Sequence, residues 1–218
     1  MIQAENSKCP LCQQQQSEFF QQSKHKTYLQ CTHCQLVYLC FEQRLSIKDE
    51  RAQYDLHQNH IDDVDYRKFL SRIFNPINNH IPAPVKVLDY GCGPGPALVV
   101  MFEESGYQVS QYDPYYFPDT TPLKQNYQII TLTEVIEHCH NPIDVLNQLK
   151  SLLMPTGIIG IMTKRLTQPE KFANWHYKND PTHVCFFADT TFQWIAEELG
   201  MDLEFCGEDS LILKNVVL

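Results

Sequence analysis

The sequence predicts an α/β fold: one open sheet covered by helices on both faces, preceded by a small four-cysteine module. Three observations carry the prediction. Four of the nine cysteines form two CxxC pairs with eighteen residues between them near the N-terminus. An apolar run, Val85-Lys-Val-Leu88, delivers an acid and then three glycines at alternate positions, just before a helical stretch. Beyond that turn, short strand-like apolar runs alternate with segments whose apolar residues recur at helical spacing.

The chain has 218 residues, 43% of them hydrophobic, enough for one full α/β core plus a small module. It contains no run of about eighteen apolar residues able to span a bilayer, and the start MIQAENSKCP is too polar for a secretory signal. A cytoplasmic location with no membrane partner is expected. The formal charge of −9 works against a protein that must neutralise many phosphates. A small-molecule partner is therefore favoured over nucleic acid, with a contact through the four-cysteine module left open.

The first element spans residues 1–42. Cys9-Pro-Leu-Cys12 and Cys31-Thr-His-Cys34 each present two thiolates on one turn, and together they can close a tetrahedral structural Zn²⁺ site. Ser17–Phe20, Tyr28–Gln30 and Leu36–Leu39 read as short strands, and Gln13–Gln16 as a solvated turn. The pattern resembles a zinc ribbon. Four thiolates leave no open position for catalysis, so the metal's role is to hold a module too small for its own core. A redox pair or a partner-recognising ribbon are the other readings, the latter with Lys8, Lys24, His25 and Lys26 as its few cations. Cys40, Cys92, Cys139, Cys185 and Cys206 lack ligand spacing and read as small apolar fillers.

Residues 43–82 read as loop and then a connecting or cap helix. Asp62 or Asp63 can cap it, Tyr66, Phe69, Leu70, Ile73 and Phe74 keep helical spacing, and Ile81-Pro-Ala-Pro84 ends it. The main domain follows over 83–218. Its first turn reads Asp89-Tyr-Gly91-Cys-Gly93-Pro-Gly95 before the helical stretch Ala97–Glu104. The glycines permit backbone angles closed to other residues and let a nucleotide-like ligand lie against the chain at a helix N-terminus. A dinucleotide turn would read GxGxxG and receive a pyrophosphate; here an acid two residues before the first glycine suits a cationic ligand better.

At this point the sequence resembles the class I S-adenosylmethionine-dependent methyltransferases, whose first motif has this form. The resemblance implies a Rossmann-like sheet. It also implies that Asp89 lies near the amino-acid end of S-adenosylmethionine, with Gly91, Cys92, Gly93 and Gly95 shaping the loop beneath it. A second strand, Tyr107–Tyr112, ends in Asp113, twenty-four residues after Asp89, where an acid can accept both ribose hydroxyls. Tyr127–Thr133 reads as strand four, Asn141–Leu153 as a helix, Met154-Pro-Thr-Gly157 as a turn and Ile158–Thr163 as strand five. "YQIITLTEVIEH" and "LLMPTGIIGI" are similar to the family's fourth and fifth motifs. Thr190–Leu199 is expected to be a helix ending at Gly200, with Leu203–Gly207 and Leu211–Val216 as the last strands. Only nineteen residues separate Asp113 from Thr133, so the third strand is expected to be shortened or absent. Tyr115 and Phe117 are candidates to lie against adenine, and Thr133 closes the donor set.

After strand four, Glu134, Glu137 and His138 stand at i, i+3 and i+4 at the sheet's carboxyl edge, where open α/β folds bind ligands. Glu-x-x-Glu-His resembles a divalent-metal motif of ubiquinone-biosynthesis O-methyltransferases and small-RNA 2′-O-methyltransferases, which implies Mg²⁺ or Mn²⁺ at Glu134, Glu137 and His138. The alternatives are a general base or substrate hydrogen-bonder, or a structural role. His140 is expected to face solvent. His183, in the polar and aromatic loop 175–184, is a further acceptor-side candidate, and Trp175 and Tyr177 are pocket walls or core. The resemblance implies methyl transfer to a small-molecule oxygen or nitrogen. Its rivals are a non-catalytic zinc-ribbon binding module on the same scaffold, and an NAD(P)-dependent oxidoreductase, disfavoured by the GxGxG spacing and the lack of a Tyr-x-x-x-Lys pair.

Overall fold

A computed structural model describes residues 8–56 and 60–216. Its larger sheet has six strands: β4 (Lys86–Tyr90), β5 (Gln108–Tyr112), β6 (Tyr127–Thr133), β7 (Leu153–Met162), β9 (Met201–Phe205) and β10 (Ser210–Asn215). They are ordered β5-β4-β6-β7-β10-β9. The first four run parallel, and β10 lies antiparallel to both β7 and β9. The strands alternate sides residue by residue. Val87, Ile129, Ile158 and Ile212 face one layer; Leu88, Ile130, Ile159 and Leu213 face the other. A sheet so patterned must be covered twice.

One layer holds α2 (Val64–His80) and α3 (Ala97–Glu104). Asp63 caps α2 by accepting hydrogen bonds from the backbone N–H groups of Asp65 and Tyr66, both at 2.9 Å. The helix can seat closely on β7 because Gly160 lacks a side chain: a Cβ there would stand 2.5 Å from Ile77 Cδ1. The other layer holds α4 (Pro142–Ser151), α5 (Asp189–Leu199) and the N-terminal module. Gly200, at φ 58°, ends α5 in the left-handed conformation.

Between Asp113 and β6 the described residues form one 3₁₀ turn (Pro122–Lys124) and an isolated bridge between Asp113 and Phe117, so the third strand is absent and β5 is an edge. Two expectations need correcting. The Met154–Gly157 turn is a bulge within β7: Tyr127 pairs with Leu153 and Ile129 with Ile158, so extra residues on one strand are taken up without ending it. The segment from 43 also contains a short helix, α1 (Ile47–Tyr54), capped by Ser46.

The N-terminal strands β1 (Ser17–Ser23), β2 (Lys26–Cys31) and β3 (Val37–Leu39) form a second sheet, and a fourth strand joins it from far along the chain: β8 (Cys185–Phe186) pairs with β3. Leu39 N–H also donates to Val184 O at 2.9 Å. Tyr28 packs edge-on against Phe172 and Phe186, at 4.9 and 5.7 Å between ring centroids. The buried residues of this module and of the second helical layer are one continuous core.

Candidate active site

The glycine turn joins β4 to α3. Gly91 (φ 77°) and Gly93 (φ 65°) take left-handed backbone angles that a residue with a Cβ adopts only under strain. The two glycines differ in their surroundings. A Cβ on Gly91 would stand 2.5 Å from Val135 Cγ2, whereas one on Gly93 would meet nothing within 4 Å and would stand in open space over the turn. Gly91 N–H donates to Tyr112 O at 2.7 Å, which ties the turn to the end of β5. Asp113 then accepts three backbone N–H bonds, from Gly93 (3.0 Å), Tyr115 (2.8 Å) and Tyr116 (3.1 Å). Asp89 is buried and accepts from Thr131 Oγ1 at 2.7 Å; burial pushes its carboxyl up to about 6.

These groups open onto a cavity of about 730 Å³. Asp89, Gly91, Cys92, Gly93, Asp113, Tyr115 and Thr133 line it around the glycine turn, with Glu134, His138 and His183 also on the wall. Gly95, Glu137 and Phe117 do not line it. Helices α1 and α2 form the roof, through Glu50, Tyr54, Tyr66 and Phe69. His140 was expected in solvent; it lines the cavity, and its Nε2 lies 2.6 Å from Glu50 Oε1. Tyr115 donates from its hydroxyl to the other oxygen of Glu50 at 3.2 Å. Asp180, beside His183, also faces the cavity.

Glu134 follows β6 at φ 53°, a left-handed angle that turns its carboxyl toward the cavity and sets it beside Tyr177, whose hydroxyl donates to Oε2 at 3.3 Å. Burial pushes this carboxyl up to about 7. Glu137 is fully buried with Oε1 against the same hydroxyl, whose single proton the two carboxyl groups share, and that hydroxyl also meets Thr163 Oγ1 at 3.1 Å. Burial, then the neighbouring Glu134, drives Glu137 well above the usual carboxylate range. Tyr177 and Trp175 belong to the core behind the wall. Nδ1 of His138 lies 3.2 Å from Thr182 O, and Nδ1 of His183 lies 2.6 Å from Tyr177 O.

The expected Mg²⁺ or Mn²⁺ set of Glu134, Glu137 and His138 does not assemble. The donors that approach within 4.8 Å are Glu137, His138 and His183, and Glu134 is not among them. Two imidazoles with one buried carboxyl, already engaged by Tyr177, do not make the oxygen-rich shell that Mg²⁺ takes. The four-cysteine cluster is different. Cys9, Cys12, Cys31 and Cys34 bring their sulfurs within 4.8 Å of one another, with Cys9 to Cys34 at 3.5 Å and Cys12 to Cys31 at 3.4 Å. A Zn–S bond of about 2.3 Å gives a tetrahedral S···S edge of about 3.8 Å, so the sulfurs stand where Zn²⁺ would hold them. Both CxxC turns close alike: Gln13 (φ 60°) and Gln35 (φ 61°) donate N–H to the carbonyls of Cys9 and Cys31, each at 3.0 Å.

Sequence reasoning missed Glu50 and Tyr54, because α1 has no apolar stripe to announce it, and it missed Asp180. Only the Ser46-x-x-Asp49 start hinted at a helix there.

A parallel sheet with a glycine turn after its first strand, an acid closing its second and an antiparallel last pair is the class I, Rossmann-like methyltransferase fold. The model of one family, described as a methyltransferase domain, matches residues 58–204, and the chain belongs to that family. No curated protein matches in sequence. Among solved structures, the SAH-bound form of CalO1, a methyltransferase in calicheamicin biosynthesis, is similar at TM-score 0.53 and 11% identity, over 70% of this chain and 55% of CalO1. A SAM-dependent methyltransferase from Archaeoglobus fulgidus is similar at TM-score 0.51 and 17% identity, over 68% of this chain and 94% of that one. The chain thus spans about half of CalO1, and identities this low speak for the fold alone.

Proposed function

We propose that the chain is an S-adenosylmethionine-dependent methyltransferase that methylates a small-molecule acceptor at oxygen or nitrogen. One observation carries the reading: the glycine turn, Asp89 and Asp113 converge on the same cavity that Glu134, His138 and His183 line. CalO1, of the same fold, was solved with SAH bound, which supports the donor assignment.

The bound donor would supply a methyl group on a positively charged sulfur. Asp89 would face the amino-acid end, and the turn at Gly91, Cys92 and Gly93 would lie beneath it. Asp113, already aimed by its three backbone hydrogen bonds, takes the ribose hydroxyls, with Tyr115 and Thr133 on the flanking walls. On the acceptor side, Glu134 takes the proton that the acceptor atom gives up, and the Tyr177 hydroxyl fixes the carboxylate's orientation. The backbone carbonyls of Thr182 and Tyr177 at Nδ1 of His138 and His183 fix the orientation of these two rings on the acceptor side of the wall. Glu137, which burial drives well above the usual carboxylate range, supports Tyr177 from behind. Alignment of this kind supplies about 7–11 kcal/mol in favourable cases. Zn²⁺ on Cys9, Cys12, Cys31 and Cys34 serves as structure.

Calorimetry on the purified chain tests the assignment. S-adenosylhomocysteine is expected to bind one to one while NADH and NADPH give no heat; absence of S-adenosylhomocysteine binding overturns it.

A further inference from the structure

The cavity wall has a one-sided charge. Five of its lining residues are carboxylates (Glu50, Asp89, Asp113, Glu134 and Asp180), and none is Lys or Arg. The nearby cations stand off the wall. Lys164, whose charge reaches Glu134, has its Nζ 5.6 Å from the Tyr177 ring centroid and 2.8 Å from His176 Nε2. Arg72 Nη1 meets Asp209 at 2.6 Å, and Arg44 donates to the carbonyls of Leu39 and His140. Asp89 and Asp113 are assigned to the donor, and Glu50 is spent on His140 and Tyr115. Glu134 remains with Oε1 unpartnered among the described residues, and Asp180 with Oδ2, because its Oδ1 accepts from the backbone N–H (2.9 Å) and hydroxyl (2.5 Å) of Thr182.

A relay of contacts along the cavity wall links these two acids. The Tyr177 hydroxyl touches Glu134, the Tyr177 ring lies 4.1 Å from that of His183, and His183 Nε2 lies 3.9 Å from Asp180. The cavity also has aromatic walls. Tyr54 stands edge-on to His138 at 5.4 Å between centroids, and Tyr66 lines the roof. Two buried oxygens here, Glu134 Oε1 and Thr133 Oγ1, have no hydrogen-bond partner among the described residues. A carboxylate oxygen only accepts, so its missing partner is a donor. An ammonium brings up to three donors and a charge that both carboxylates and aromatic faces attract. A phosphate or carboxylate brings only acceptors and like charge.

We propose that the acceptor is a small amine, bound as its ammonium on the Glu134 and Asp180 wall of the cavity against Tyr54 and Tyr66. Glu134 takes one proton from the ammonium, and the freed nitrogen lone pair forms the N–CH3 bond as the S–CH3 bond breaks and S-adenosylhomocysteine leaves. The inference rests on the methyl-transfer reading, and the experiment separates the two. The full chain is first saturated with S-adenosylhomocysteine, the binding of which is measured in its own right; failure at this stage overturns the parent assignment. Three probes with one aromatic body are then titrated by calorimetry: tyramine, 4-ethylphenol and 3-(4-hydroxyphenyl)propionate. Tyramine is expected to bind at least about tenfold more tightly than the carboxylate, by the charge preference of the wall. Glu134→Gln and Asp180→Asn, each first shown to retain S-adenosylhomocysteine binding, are expected to remove most of tyramine's advantage over 4-ethylphenol. Equal or tighter binding of the carboxylate, no binding by any probe, or variants that leave tyramine's advantage intact would each overturn the amine assignment while leaving the donor site standing.

Discussion

Asp89 is a carboxylate held against its own solvation. It is 3% exposed, its one side-chain hydrogen bond comes from Thr131, and burial raises it from 3.8 to about 6. A carboxyl raised in the folded state contributes stability that is complete below its unfolded value, near 3.8, and lost as pH climbs through about 6. The ionised form at pH 7.5 therefore costs up to about 3 kcal/mol in the ligand-free protein, offset when a cation arrives. Asp89→Asn keeps an oxygen for Thr131 and removes the charge. It is expected to raise the ligand-free melting temperature at pH 7.5 by several degrees, to raise it only about a third as much at pH 4.5, and to weaken S-adenosylhomocysteine at least about tenfold. Scanning fluorimetry at the two pH values, with calorimetry, checks this; a variant no more stable at pH 7.5 would show that the buried charge costs nothing. Glu134, raised to about 7 by burial, gives the opposite functional sign: the base must be ionised, so methyl transfer to an amine or hydroxyl acceptor is expected to rise with pH through about 7. Radiolabel transfer across pH 5.5–8.5 measures it, and Glu134→Gln should flatten that limb.

At the scale of elements, the glycine turn separates two effects that a single substitution usually mixes. Gly93→Ala adds a Cβ that meets no protein atom, so only the left-handed angle opposes it, at roughly 1–2 kcal/mol. Gly91→Ala bears the same strain and also drives into Val135. Thermal melting should place Gly91→Ala well below Gly93→Ala, while calorimetry should find S-adenosylhomocysteine binding lost in Gly93→Ala although the fold survives. Equal melting temperatures would refute the distinction. This turn was readable in advance because local backbone demands are written in local residue types: the strand before it, the helix at 97–104 and Asp113 all stand where the spacing put them. The capped helix from Asp63 and the four-cysteine pattern were readable for the same reason. What escaped depends on distant partners. Helix α1 buries only Glu50 and is held by polar contacts to Tyr115, Tyr116 and His140, which no periodicity reveals. Strand β8 has two residues and exists because β3 offers an edge to it. Glu137 and Glu134 look equivalent at i and i+3, yet the 3₁₀ turn at Ile136–His138 sends one into the core and the other to the cavity.

For the molecule as a whole, the four-cysteine module is tied by direct contacts to the wall of the cavity that holds His183 and His140. The chain path runs from the second CxxC knuckle directly into β3, whose edge pairs with β8 and whose last residue binds Val184. Val184 in turn donates N–H to Glu137 O at 2.9 Å, and His183 is its immediate neighbour on the cavity wall. Lys178 Nζ adds a hydrogen bond to Ser23 Oγ at 3.1 Å, and Arg44, leaving the ribbon, holds His140 O at 3.0 Å. The wall around the glycine turn is built differently: Asp89, the turn and Asp113 are braced by β6, β5 and one another. Loss of zinc should therefore loosen the His183 wall first. Zinc content near one per chain is expected, falling in Cys34→Ser. In zinc-stripped wild type, hydrogen exchange of the 180–186 segment should accelerate at least roughly tenfold, with S-adenosylhomocysteine affinity changed by less than about threefold, and zinc readdition should restore protection. Parallel loss of S-adenosylhomocysteine binding would mean that zinc supports the fold as a whole, and unchanged exchange at 180–186 would mean that the ribbon and the cavity wall are mechanically independent; either result defeats the coupling.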